Sequence, residues 1–177
     1  NGYKNLESGI RYYFLRNSPV SGLVLLLQFI ERRPKEVTYD SAKKPTRMIT
    51  PQPLPLVLSI CADEFVQGLD AGYVMLCEEQ ESMPPWLQPL KGLNLNLVDQ
   101  SRNKPVLNHG DRVDKKLNII YPLVEKYQEI FDTADPDSII NRYARSIEPR
   151  PNQTRVRLWF YTYLVFGRSR WALHYPI

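Results

Sequence analysis

NQTRVRLWFYTYLVFG, residues 152–167, is the stretch that decides the fold. Val156, Trp159, Phe160, Tyr163 and Leu164 fall at i, i+3, i+4, i+7 and i+8, the spacing of one helix face. Asn152 or Gln153 opens this helix and Gly167 closes it. On a wheel of about 100° per residue the apolar set centres near Val156 and Tyr163. Thr154, Leu158, Tyr161 and Thr162 then lie opposite, with Arg155 and Arg157 on the flanks.

Working backwards, Asp135-Pro136 starts another helix, with Asp135 as N-cap and Pro136 at its first position. Ile139, Ile140, Tyr143, Ala144 and Ile147 form its apolar stripe, and Pro149-Arg150-Pro151 ends it. Before it, Leu117, Ile120, Tyr121, Val124, Tyr127 and Phe131 recur at three and four, with Pro122 either kinking that helix or beginning it. Three short helices, the last two joined by a tight Pro-bounded turn, are the layout of a helix-turn-helix module. Trp171–Tyr175 reads as a strand or the start of a wing.

The net charge of +4 is unevenly distributed. Residues 138–177 hold seven Arg and one acid, Glu148. Arg is suited to bidentate contact with phosphate or guanine. Arg142, Arg145 and Arg150 are expected to face DNA backbone, Asn152, Gln153, Thr154, Arg155, Arg157 and Tyr161 to lie on the DNA-facing helix, and Arg168 and Arg170 to reach the next phosphates. A plain three-helix bundle with a solvated basic face remains the alternative.

The first part reads mostly as strands. Ile10–Arg16 and Val20–Ile30 form a hairpin about Asn17-Ser18-Pro19, and Lys35–Tyr39 extends the sheet. Asp40–Pro55 is polar and Pro-rich, with extended, exposed chain expected. Leu54–Ser59 reads as a strand, Ala62–Ala71 as a helix closed by Gly72, and Tyr73–Cys77 as a return strand. The fold class expected is α+β: a small β-rich module, SH3-like or a barrel, over residues 1–78; a Pro-rich linker over 79–110; and the three-helix module over 111–177. In the linker Trp86 and Leu87 are expected to dock on a neighbouring surface, and Leu93, Leu95 and Leu97 to add a short strand.

Catalytic signals are weak. His109 and His174 are far apart, each without a neighbouring Cys or His at ligand spacing. No phosphate-binding loop or Gly-rich nucleotide fingerprint is present. Glu78, Glu79 and Glu81 with Asp63 and Glu64 read as solvated acids rather than a metal cluster. Cys61 and Cys77 read as reduced, buried thiols of a cytosolic protein. The longest apolar run, Gly22–Leu27 with Phe29 and Ile30, is too short to span a bilayer. Asn1 at the start and Tyr175-Pro176-Ile177 at the end lead us to expect a piece of a longer protein.

The run Lys116–Val124 (KLNIIYPLV), the Arg142-Tyr-Ala-Arg145 segment and the quoted stretch from Thr154 to Gly167 resemble the N-terminal DNA-binding region of TnsB-type transposases, in the DDE transposase and retroviral-integrase superfamily. The Gly9-Ile-Arg-Tyr12 strand and the pattern of a helix, then Gly72, then a strand resemble that family's N-terminal β-rich module. The resemblance implies a bacterial, cytoplasmic, nucleoid-associated protein that binds double-stranded DNA at transposon ends beside other transposition proteins. It also implies a separate catalytic domain using divalent metal, Mg, for strand transfer. No catalytic residue, metal ligand or cofactor site is carried onto this chain, which is expected not to be an enzyme itself. A helix-turn-helix transcription regulator and a protein-interaction scaffold of a transposition complex are the rival readings.

Overall fold

The hairpin forms where β-branched and aromatic residues end at a turn. In the computed structural model, which describes residues 6–37, 47–49, 51–77, 81, 83–94 and 108–174, strands β1 (Tyr13–Ser18) and β2 (Leu23–Ile30) pair antiparallel. The turn lies at residues 19–22, slightly later than the Asn-Ser-Pro signal places it, because Gly22 supplies a backbone φ of +66°. β3 (Lys35–Val37) and β4 (Arg47–Ile49) form a separate antiparallel pair, so the Pro-rich stretch contains a strand. β5 (Leu54–Cys61) returns to β2, giving a three-stranded sheet in the order β1-β2-β5. α1 (Ala62–Asp70) follows β5 directly. The molecule is therefore α+β, an N-terminal antiparallel sheet followed by a mainly helical region.

β2 is apolar on both faces, and each face is used. Val24 and Leu26, with Ile60, pack beneath Phe65 and Ala62 of α1. Leu25 and Leu27 face the other way and join a core shared with the helices. Burying such a side chain contributes about 1.5–3 kcal/mol.

Four further α-helices follow among the described residues: α2 (His109–Glu125), α3 (Tyr127–Phe131), α4 (Pro136–Ser146) and α5 (Gln153–Val165). Asn108 caps α2 by accepting from the Asp111 N–H at 2.7 Å, so the helix starts well before Pro122 and runs through it. Asp135 caps α4 as its Asp-Pro signal predicts, accepting from Ser138 N–H at 3.1 Å. Val113, Ile120, Phe131, Ile140, Val156, Phe160 and Tyr161 meet Leu25 and Leu27 in one core. Arg16 of β1 clamps Asp132, after α3, through two bonds of 2.8 and 2.9 Å, and Ser18 adds a third at 2.9 Å.

Three local expectations change. Tyr73–Cys77 is irregular and mostly exposed instead of a return strand; Gly72 turns the chain at φ +74° and its amide and the next two bond back to α1 carbonyls. Trp171 lies in a 3₁₀ turn, Arg170–Leu173, instead of a strand; Tyr175 falls outside the described residues. Cys61 and Cys77 are both exposed, Cys61 because strand alternation turns it away from the buried Ile60 side. Trp86 and Leu87 sit in a 3₁₀ turn (Pro85–Leu90) and do dock: Leu87 is buried, and the Trp86 ring meets Phe29 at 4.9 Å and Phe166 at 6.2 Å. Leu93 is exposed, while Leu95 and Leu97 lie outside the described residues.

Candidate nucleic-acid interface

α4 and α5 are joined by a turn whose two prolines, Pro149 and Pro151, limit what the backbone can do. Asn152 leaves that turn in extended conformation and its side-chain oxygen accepts from Arg155 N–H at 3.1 Å, which starts α5. The geometry sets the first turn of α5 at the surface. Arg142 and Arg145 on α4, Arg150 in the turn, and Asn152 and Arg155 are exposed; Gln153 and Thr154 are half-buried. Arg145 donates to Gln153 Oε1 at 3.4 Å, linking the two helices. Among the described residues no carboxylate pairs with Arg142, Arg145, Arg150 or Arg155.

Other predicted contacts point elsewhere. Tyr161 is 0% exposed, and its hydroxyl donates to Asp137 of α4 at 2.5 Å. Burial, and then the Asp137 charge, hold that phenol well above its ordinary pKa, so it stays a neutral donor. Arg157 is half-buried and ion-pairs with the same Asp137. Leu158 and Thr162, placed opposite the apolar stripe by the wheel, are buried too. The reason is that α5 has neighbours on both sides. α2 and α4 cover one side, and β1 and β5 cover another. Tyr13 meets Phe166 just past the end of α5 at 5.3 Å, and Phe29 stacks on it at 6.0 Å. Sequence did hold a warning: from Val156 to Phe166 the only charged residue is Arg157, and a helix apolar all round is a buried one.

The last two arginines separate from the first group. Arg168 lies over the Tyr127 ring at 4.9 Å, beyond the C-terminal end of α5. Arg170 donates to Asp114 of α2 at 2.7 Å and rests near Trp171. The structure thus places Arg142, Arg145, Arg150, Asn152, Gln153, Thr154 and Arg155 along α4, the turn and the first turn of α5, all at least partly exposed, while Tyr161 is buried and Arg157, Arg168 and Arg170 are engaged by Asp137, the Tyr127 ring and Asp114.

Comparison with family models, curated proteins and solved structures gives no match.

Two basic residues of α2 escaped the sequence reading. Lys116 Nζ donates to the Leu173 carbonyl at 2.7 Å and lies 5.8 Å from the Trp159 ring centre. Burial, then the charges of Arg112 and Arg155, push its ammonium down to a pKa of about 8. Arg112 and Lys116 stand four apart in the sequence, so one helix face carries both, a like-charge spacing that was the available signal. The chain's two histidines, although distant in sequence, are neighbours: the His109 and His174 rings lie 4.9 Å apart. Among the described residues no three His, Cys, Asp or Glu side chains gather as a metal site. Glu78 and Glu79 lie outside those residues, and Asp63 and Glu64 occupy the first turn of α1.

A cleft of about 550 Å³ opens beside the end of α5, lined by Glu81, Met83, Phe166, Gly167, Ser169, Trp171 and Ala172. Its carboxylate is already engaged. Glu81 pairs with Arg11 and accepts from the Tyr13 hydroxyl at 2.8 Å. Burial first, and then Glu81, raise the Tyr13 pKa above its usual range. No described helix is long and apolar enough to cross a membrane.

Proposed function

We propose that this chain binds double-stranded DNA through the α4–turn–α5 face. The observation that carries the reading is the set of four exposed arginines, Arg142, Arg145, Arg150 and Arg155, without a carboxylate partner among the described residues. α4 and α5 act as a helix-turn-helix pair in this proposal. A recognition helix reads base edges with its N-terminal residues, which matches a helix that exposes its first turn and buries most of the rest. Asn152, Gln153, Thr154 and Arg155 are the proposed readers; Arg142, Arg145 and Arg150 fix register on phosphates. Arg157 and Tyr161 hold the two helices together instead.

Following the resemblance, the proposed target is the end of a mobile element, and the proposed parent is a DDE transposase. The β-rich part, five strands in a three-stranded sheet and a separate pair, would be its small SH3-like or barrel module. Divalent-metal strand transfer belongs in this reading to a different domain, and no residue here is assigned chemistry. A role in binding other transposition proteins has its own support: Tyr73, Met75 and Leu76 are mostly exposed in one short segment. The test is footprinting and salt-titrated gel shift of the chain on element-end and random duplexes. Protection of repeated end sites, with a steep salt dependence, is expected. No shift on any duplex at low salt refutes DNA binding.

A further inference from the structure

α2 packs against α5, and the contact gathers positive charge. Lys116 is anchored at both ends of its reach: one ammonium hydrogen goes to the Leu173 carbonyl, and the side chain lies against Trp159. Arg112 precedes Lys116 by one turn on α2, and Arg155 precedes Trp159 by one turn on α5. Among the described residues none of the three cations has an acid partner. Asp114, the acid between Arg112 and Lys116, is taken by Arg170. The geometry points to Arg112, Lys116 and Arg155 as a seat for one phosphate of the DNA backbone, built across α2 and α5.

The inference rests on the DNA reading and adds α2 to its contacts. Burial lowers the Lys116 pKa most, and the uncompensated charges of Arg112 and Arg155 lower it further. A phosphodiester removes the repulsion among the three cations and accepts the two ammonium hydrogens that Leu173 leaves over. Lys116 has little side-chain entropy left to lose on binding, because its stem is already ordered. Arg155 then belongs to both contacts, next to the bases at the α5 first turn and next to the seat.

The test measures duplex affinity against salt for the whole chain and for R112Q, K116M and R142Q, together with the Lys116 side-chain titration followed by NMR. The probes are a 20-base-pair duplex and, separately, inorganic phosphate. R112Q and K116M should each weaken duplex binding roughly tenfold and lower the salt slope by about one. The duplex should raise the Lys116 pKa by about a unit or more. If the wild-type chain binds no duplex, the DNA reading falls and this seat with it. If it binds and R142Q flattens the slope while R112Q and K116M do not, the seat alone is overturned. A Lys116 shift with inorganic phosphate but not with duplex overturns the DNA backbone as its occupant. Thermal melting checks folding; should K116M unfold, R112Q, which breaks no side-chain hydrogen bond or ion pair among the described residues, decides the matter.

Discussion

The seams between elements and the α4–α5 turn use the same side chain in opposite ways. Three seam arginines each have an acid: Arg16 with Asp132 between sheet and helices, Arg157 with Asp137 between α4 and α5, Arg11 with Glu81 beside the cleft. At the turn, Arg142, Arg145, Arg150 and Arg155 are exposed with none among the described residues. Arg155 and Arg157 make the contrast within one helix, two residues apart. What separates the seam arginines from those proposed to bind DNA is the presence of a fixed carboxylate, which a charge count along the chain cannot see.

The largest effect that would break this comparison is on the seam side. Asp137→Ala strands the Arg157 guanidinium and the Tyr161 hydroxyl at a largely buried contact, and should lower unfolding free energy by about 3 kcal/mol in urea titration. A loss below about 0.5 kcal/mol would place Arg157 among the surface charges. Next comes Arg155→Ala on the turn side. It should cost on the order of 1–3 kcal/mol of DNA affinity and change sequence preference in a binding-site selection, while urea stability stays within about 0.5 kcal/mol. Arg142→Ala should act more weakly and evenly, lowering affinity for all duplexes and the salt slope by about one. A changed sequence preference there would move Arg142 from backbone to base contact.

Much of this was legible before any coordinates. Asp135-Pro136, Asn152, Gly72 and Gly167 marked element ends because caps and left-handed turns depend on one or two neighbouring residues. β2 was visible as an apolar run for the same local reason. The failures share a different cause. Tyr161 and Arg157 were assigned to the DNA face because a helical wheel tells which residues share a side, not how many sides are covered. The sheet that covers α5 lies about ninety residues or more earlier in the chain. Asp137, Arg112 and Lys116 were overlooked likewise, since their importance arises only where α2, α4 and α5 meet.

The smallest expected effects are pH effects, and they sharpen the contrast. Arg16, and then Ser18, bond the Asp132 carboxylate and hold its pKa below the usual aspartate value. Its contribution to stability is therefore complete above that usual value and is lost as pH falls through the depressed one. Arg16→Met should flatten this acid limb of a stability-against-pH curve. Lys116 acts at the alkaline end, and there the charged form is the destabilising one. With its pKa lowered to about 8, the unfolded chain binds more protons than the folded one above that pH, so stability should rise from about pH 8 towards the ordinary lysine range. K116M should remove the rise; a wild-type curve already flat there would mean that Lys116 is neither buried nor crowded by Arg112 and Arg155.

The sheet face that covers α5 also orders events during synthesis. Phe29 leaves the ribosome long before Phe166, the ring it stacks on. At roughly 5–20 residues per second the interval is on the order of ten seconds. Throughout it Leu25, Leu27 and Phe29 form an apolar strand surface with no helix to cover it, the kind of exposure that invites misassembly. α1 follows β5 at once and can shelter the opposite face early, so the nascent chain waits with one side closed and the other open. A ribosome stalled before residue 153 would carry that open side as a surface for chaperone capture.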